Sequence, residues 1–151
     1  MNIKTFKITC EFAVCLLAQP VMAGPLEDGQ AAYDRKDFAT ALHLLRPLAA
    51  HGNAIAQTML GAMYASGDGV PRDDAEAVKW FQMAADQGDK GSQYVLAIMY
   101  ENGSGVQDYV QAYKWFYLAG TPKGLARVAA HMTPSQIAEA KRVARKWKPK
   151  Q

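Results

Sequence analysis

The sequence predicts an all-α protein, an α-solenoid of antiparallel helix pairs. Three observations predict it. A block of residues recurs about 36 positions later, each copy carries helix start and stop signals at matching places, and no stretch alternates with the period of a strand. Gln57, Leu60, Met63, Tyr64, Gly67, Gly69 and Val70 return at spacing 36 as Gln93, Leu96, Met99, Tyr100, Gly103, Gly105 and Val106. The position held by Pro71 then drops out. At spacing 35, Asp73, Ala77, Lys79, Trp80, Phe81 and Ala84 return as Asp108, Ala112, Lys114, Trp115, Phe116 and Ala119. Those 13 identities compare with about two by chance at ordinary composition.

Residues 1–23 have the pattern of a cleavable secretory leader. Lys4 and Lys7 form a basic start, Phe12 to Ala18 an apolar stretch, and Pro20 with Val21-Met22-Ala23 a cleavage pattern ending before Gly24. The alternatives are an ordinary N-terminal helix and a lipid-bearing Cys15, for which Val14 is a poor preceding residue. Cleavage between Ala23 and Gly24 removes both cysteines, Cys10 and Cys15, and sends the chain to the periplasm or outside.

Residues 24–53 read as a shorter helical pair. Its first helix spans Gln30 to Arg35, with Tyr33 in the place of Tyr64. A tight Arg35-Lys36 turn leads to Asp37, which caps a second helix whose apolar positions are Phe38, Ala41, Leu44, Leu45 and Leu48. Pro47 is expected to kink or end that helix. The first full repeat is residues 54–89, the second residues 90–120. Their first helices run from Ala54 to Ser66 and from Gly91 to Asn102, stopped by Gly67-Asp68-Gly69 and Gly103-Ser104-Gly105. The second helices open with Asp73 and Glu76, or Asp108 and Gln111, the spacing of a capping box. Ala77, Trp80, Phe81 and Ala84 form a helical stripe that has to be buried. Residues 121–151 cap the array: Thr121-Pro122 opens a helix to about His131. Thr133-Pro134-Ser135-Gln136 opens another, with Ile137, Ala140, Ala144 and Trp147 facing inward.

The motif Ala54-Ile55-Ala56-Gln57 through Val70, followed by Asp73 through Gly88, resembles the Sel-one-like repeat (SLR), a relative of the tetratricopeptide repeat. The second copy departs at Gly91, Ala97 and Gly120 and lacks the loop proline. The resemblance spans about residues 28–120 and implies an α-solenoid that scaffolds other proteins. The ending from Met132 to Pro149 is similar to the tail of secreted bacterial members. The family's secreted cysteine-rich branch has disulfides between helices, which a chain starting at Gly24 does not offer.

The residues carry little sign of chemistry. His43, His51 and His131 are scattered, without partners at metal-ligand spacing, so no metal, cofactor or catalytic group is expected. The Ser66-Gly67-Asp68-Gly69 turn lacks the Lys-Ser/Thr ending of a phosphate loop, and its recurrence makes it a structural turn. Trp80-Phe81 and Trp115-Phe116 are core by their register. A cell-wall-directed hydrolase would need an acid/base pair that is not found.

Two surfaces are the candidates for binding. With Gln57, Leu60, Gly61 and Tyr64 on the packed side, the opposite side of the first helix holds Ile55, Met59, Ala62 and Ser66. In the second copy it holds Val95, Ile98 and Asn102. An apolar face of this kind is either covered by neighbouring repeats or lines a groove for a peptide or protein. The second surface is the basic tail, Lys141, Arg142, Arg145, Lys146, Lys148 and Lys150. From Gly24 on, the chain has fifteen basic and thirteen acidic residues. Nine of those bases and all thirteen acids precede Lys141, so an acidic array ends in a cationic tail. Its cations suit a helix C-terminus, and they also suit a glycan, an anionic membrane surface or an acidic partner. The expected protein is a monomeric scaffold for a protein or peptide partner, with no nucleic acid.

Overall fold

The computed structural model describes residues 24–104 and 107–150; the leader, with Cys10 and Cys15, lies outside the described residues. Eight helices and no strands occur among the described residues. They are α1 (Pro25–Asp34), α2 (Phe38–Ala50), α3 (Ala54–Ser66), α4 (Asp74–Asp86), α5 (Lys90–Asn102), α6 (Tyr109–Ala119), α7 (Pro122–Ala129) and α8 (Pro134–Lys146). Through α7, each helix packs mainly on its neighbours in the chain, most extensively within the pairs α1–α2, α3–α4 and α5–α6. Such nearest-neighbour packing defines a solenoid.

The repeat in sequence is a repeat in backbone geometry. Asn53 and Asp89 cap α3 and α5 with nearly identical dihedrals (φ −65°, ψ 112° and φ −63°, ψ 112°), accepting from Ala56 N–H and Ser92 N–H. Gly67 and Gly103 end those helices in the left-handed region, at φ 80° and 76°. Asp73 and Asp108 cap α4 and α6, each accepting from two backbone N–H groups. The buried Gln57 side chain donates to the Ala49 carbonyl at 3.0 Å, and Gln93 to the Ala85 carbonyl at 3.1 Å. Each glutamine thereby ties the first helix of a repeat to the end of the preceding helix.

The core divides along the array. Ala32, Ala41, Leu45, Ala49, Ala56, Leu60 and Met63 form one cluster. Phe81, Leu96, Trp115, Phe116 and Val128 belong to a second, which extends to Ala140 of α8. Gly61 lets the Phe81 ring approach, since a Cβ there would lie 3.0 Å from it.

Several local expectations change. Helix α1 begins at Pro25, five residues before Gln30, with Pro25 at its first position and Glu27 and Asp28 in its first turn; Gly29 sits inside it as a contact point, where a Cβ would meet Leu45 Cδ2 at 2.8 Å. Helix α2 runs through Pro47 to Ala50. Pro47 and His43, whose carbonyl loses its helical donor, are both exposed. The caps of α4 and α6 lack the reciprocal half of a capping box. Asp73 N–H and Asp108 N–H are taken by the Tyr64 and Tyr100 carbonyls, and Glu76 pairs with Lys79. The complete box forms at Thr133 and Gln136. Thr121 does not cap α7; its hydroxyl donates to the Phe116 carbonyl at 3.1 Å.

The end of the array departs from the repeat. Helix α8 lies against α6 and has little contact with α7. Beyond it, residues 147–150 form an extended strap. Trp147 meets Trp115 edge-on with ring centroids 6.1 Å apart, and Lys150 binds Asp86 twice. Its backbone N–H donates to the Asp86 carbonyl at 2.7 Å, and its Nζ reaches Oδ2 at 2.6 Å.

Candidate interaction surface

The face opposite the packed side of α3 holds residues 55, 58, 59, 62 and 66, all within an arc of about 100°. The corresponding face of α5 holds residues 91, 94, 95, 98 and 102. Ile55 and Tyr94 are its most open large apolar side chains, at 51% and 43% exposure. Met59 is half-buried against the first core cluster, and Ala62, Val95 and Ile98 are half-buried against the second. Neighbouring helices therefore cover part of each of these four side chains. Ser66 and Asn102 are exposed at the helix ends, with the Ser66 hydroxyl donating to the Ala62 carbonyl at 2.6 Å. Helices α3 and α5 touch beside these faces, where Thr58 Oγ1 lies 2.7 Å from the Oγ of the buried Ser92.

Tyr94 is the residue that sequence reasoning missed on this face. The repeat alignment places it opposite Thr58, and its 43% exposure became visible only in the structure. Its ring meets Phe116 edge-on at 5.9 Å, beside a depression of about 550 Å³ shared with Pro122, Gly124 and Arg127. Arg127 is held there by Glu101 at 2.5 Å. A second depression, about 450 Å³, lies between the α2–α3 turn and the end of α4, lined by His51, Gln57, Met83, Gln87 and Lys150. Both depressions sit at turns between helix pairs.

Packing shifts three titratable side chains. Burial lowers the Lys114 ammonium below the usual lysine range, with its Nζ 3.9 Å from the Trp115 ring centre; Asp86 opposes that shift and Lys150 adds to it. Burial raises the Tyr100 phenol, with Asp108 and Asp86 adding to the effect. Tyr33 is raised by burial and by Asp68, to which its hydroxyl donates at 3.5 Å.

The basic side chains of residues 141–150 do not act as one group. Lys141, Arg142, Arg145, Lys146 and Lys148 are exposed, but Arg142 forks onto Glu139 and Lys150 is fixed to Asp86. The three histidines are well separated: His51 Nδ1 lies 2.6 Å from the Pro47 carbonyl, His131 stacks on Tyr109, and His43 is exposed on α2. Among the described residues, no three His, Cys, Asp or Glu side chains are placed to hold a metal. No helix among them is long and apolar enough to cross a membrane.

The Sel1 repeat pattern matches residues 22–53, 54–89 and 91–121, about two thirds of the chain. The chain belongs to the Sel1 repeat family. The N-terminal pair, although it lacks the Gly-x-Gly insert, is matched as a repeat of its own. Solved structures with the same repeat have the same architecture. A protective antigen of uropathogenic Escherichia coli displaying an SLR fold aligns over 82% of this chain and 29% of its own, at 28% identity and a TM-score of 0.76. A Sel1 repeat protein from Oxalobacter formigenes aligns over 82% of this chain and 56% of its own, at 25% identity and a TM-score of 0.64. A rat protein described as a DAP3-binding cell death enhancer is 40% identical over 67 residues, 44% of this chain and 13% of that protein. The chain thus spans only part of the length of each of these relatives. Sel1 repeat proteins are generally protein-interaction scaffolds.

Proposed function

We propose that this chain is an exported, non-catalytic Sel1 repeat scaffold that binds a peptide or partner protein on the first-helix face of its repeats. The observation that carries this reading is the row of apolar side chains along the first-helix face, with Met59 and Val95, and Ala62 and Ile98, half-buried at repeat-equivalent positions and Ile55 and Tyr94 exposed beside them. Aromatic and aliphatic groups presented by a rigid array lose little freedom on binding, so little of the contact energy is spent on ordering. The rat relative, named for binding DAP3, supports a protein partner as the class. The scaffold acts as a monomer and takes no metal or cofactor. Export rests on the leader pattern before Gly24, and N-terminal sequencing of the periplasmic or secreted product should begin at Gly24.

The binding face is tested with Ile55→Asp and Tyr94→Asp, compared with Ala39→Asp at an exposed position of α2. Partner capture from periplasmic extract should fall in the first two and persist in the third, with all three retaining helical circular dichroism. Ala62 is a poorer probe because its side chain packs against the second core cluster. Equal capture by all variants would refute the assignment of the face.

A further inference from the structure

Helix α8 has two unlike sides. Ile137, Ala140, Ala144 and Trp147 face the array, and Ala140 and Ala144 are buried. At 100° per residue, Lys141, Arg142, Arg145 and Lys146 occupy the other side, an arc of about 140° centred near Ala138. Their side chains surround a shallow depression of about 400 Å³ over Ala138. Both ends of the helix are fixed, one by the Thr133–Gln136 capping box and the other by the strap that bonds Lys150 to Asp86. A rigid element therefore presents this charge outward. Lys141, Arg145, Lys146 and Lys148 have no carboxylate within ion-pair distance among the described residues, so four cations remain uncompensated.

We propose that this face of α8 docks on an anionic lipid bilayer. Three features select that occupant. The exposed large apolar side chains, Ile55, Met83, Tyr94 and Tyr117, all lie on other helices. The face therefore lacks the aromatic or aliphatic anchor around which a protein interface is built. Its charge is spread along an open helix surface, which suits a two-dimensional field of phosphates better than a single shaped ligand. Finally, residues 24–140 carry net negative charge, so an anionic surface attracts α8 and repels the remainder, orienting the array. The protein-binding face of α3 and α5 is a separate surface, and the two assignments stand or fall independently.

The test is co-sedimentation of the full chain with phosphatidylglycerol-containing or purely phosphatidylcholine vesicles at low and high salt. Lys141→Gln with Arg145→Gln removes two uncompensated cations without creating like-charge contacts to Glu139. Arg35→Gln with Lys36→Gln makes the same charge change in the turn between α1 and α2. The chain should bind only the anionic vesicles and release them at high salt. The α8 variant should bind about tenfold more weakly or worse, and the turn variant should bind like the parent. Equal binding by parent and α8 variant, or an equal loss in both variants, would overturn the proposal. So would binding to polyglutamate in the absence of binding to vesicles, which would assign the face to an acidic protein.

Discussion

Gly124 gives the sharpest energetic test of the packing at the end of the array. A Cβ built there lies 2.5 Å from Phe116 Cδ1 and 2.7 Å from two further ring atoms, whereas carbon atoms in contact prefer about 3.5–4.0 Å. The ring would have to retreat by about 1 Å. Phe116 is fully buried, with Tyr94 against it edge-on and Arg127 over it, so there is little room to do so. Overpacking of this kind costs about 1–3 kcal/mol. Replacing a helical glycine by alanine returns up to about 1 kcal/mol. Gly124→Ala should therefore destabilise by about 1–2 kcal/mol, which at about 2–4 °C per kcal/mol for a chain of this size lowers the melting midpoint by about 2–8 °C. Gly91→Ala supplies the control with the opposite sign. Its Cβ would meet only Asp89 Oδ1, at 3.5 Å, so that variant should gain up to about 1 kcal/mol. Thermal melts by circular dichroism decide between these outcomes. A Gly124→Ala protein as stable as the parent would refute the close approach of α7 to Phe116.

Three other outcomes are expected. Lys36 is the only non-glycine residue at positive φ (62°) among the described residues, so Lys36→Gly should raise the urea midpoint by the equivalent of about 0.5–1 kcal/mol, and a fall would contradict that strain. Lys114 has a lowered pKa in the folded chain, so between that value and the ordinary lysine value the unfolded chain holds more protons and stability rises with pH. The stability of the parent relative to Lys114→Met should therefore climb as pH rises towards the ordinary lysine range, and melts across that range that give a flat or falling difference would contradict it. The Lys150 amide, bonded to the Asp86 carbonyl, should exchange with deuterium more slowly than a free tail amide. Asp86→Ala removes the ion pair and should speed that exchange; equally fast exchange in the parent would show that the strap is not docked.

The regular part of the fold was legible because its signals are local. Gly67 and Gly103 stop helices wherever their carbonyls end, and Asp73 and Asp108 start them with their own side chains. Features that depend on distant partners were not legible. The close approach of Leu45 to Gly29 is set by how α1 and α2 pack, and the reciprocal half of the Asp73 cap is lost to the Tyr64 carbonyl, which only the folded pair brings near. The packing of α8 on α6, and the strap that removes Lys150 from the basic tail, are likewise tertiary choices that no spacing encodes. For the candidate site, helical periodicity placed Met59, Ala62, Val95 and Ile98 on one face. How far neighbouring helices cover them depends on how the pairs stack, and Tyr94 stood out only once its exposure was known.

The scaffold reading is tested most directly by site-resolved photo-crosslinking in the cells that produce the chain. A photoreactive side chain would be placed in turn at positions 55 and 94 on the first-helix face, and at position 39 on α2. The account predicts the same discrete protein adduct from positions 55 and 94, identified by mass spectrometry, and none from position 39. Adducts that are absent from the first-helix face, or as strong from position 39, would contradict it.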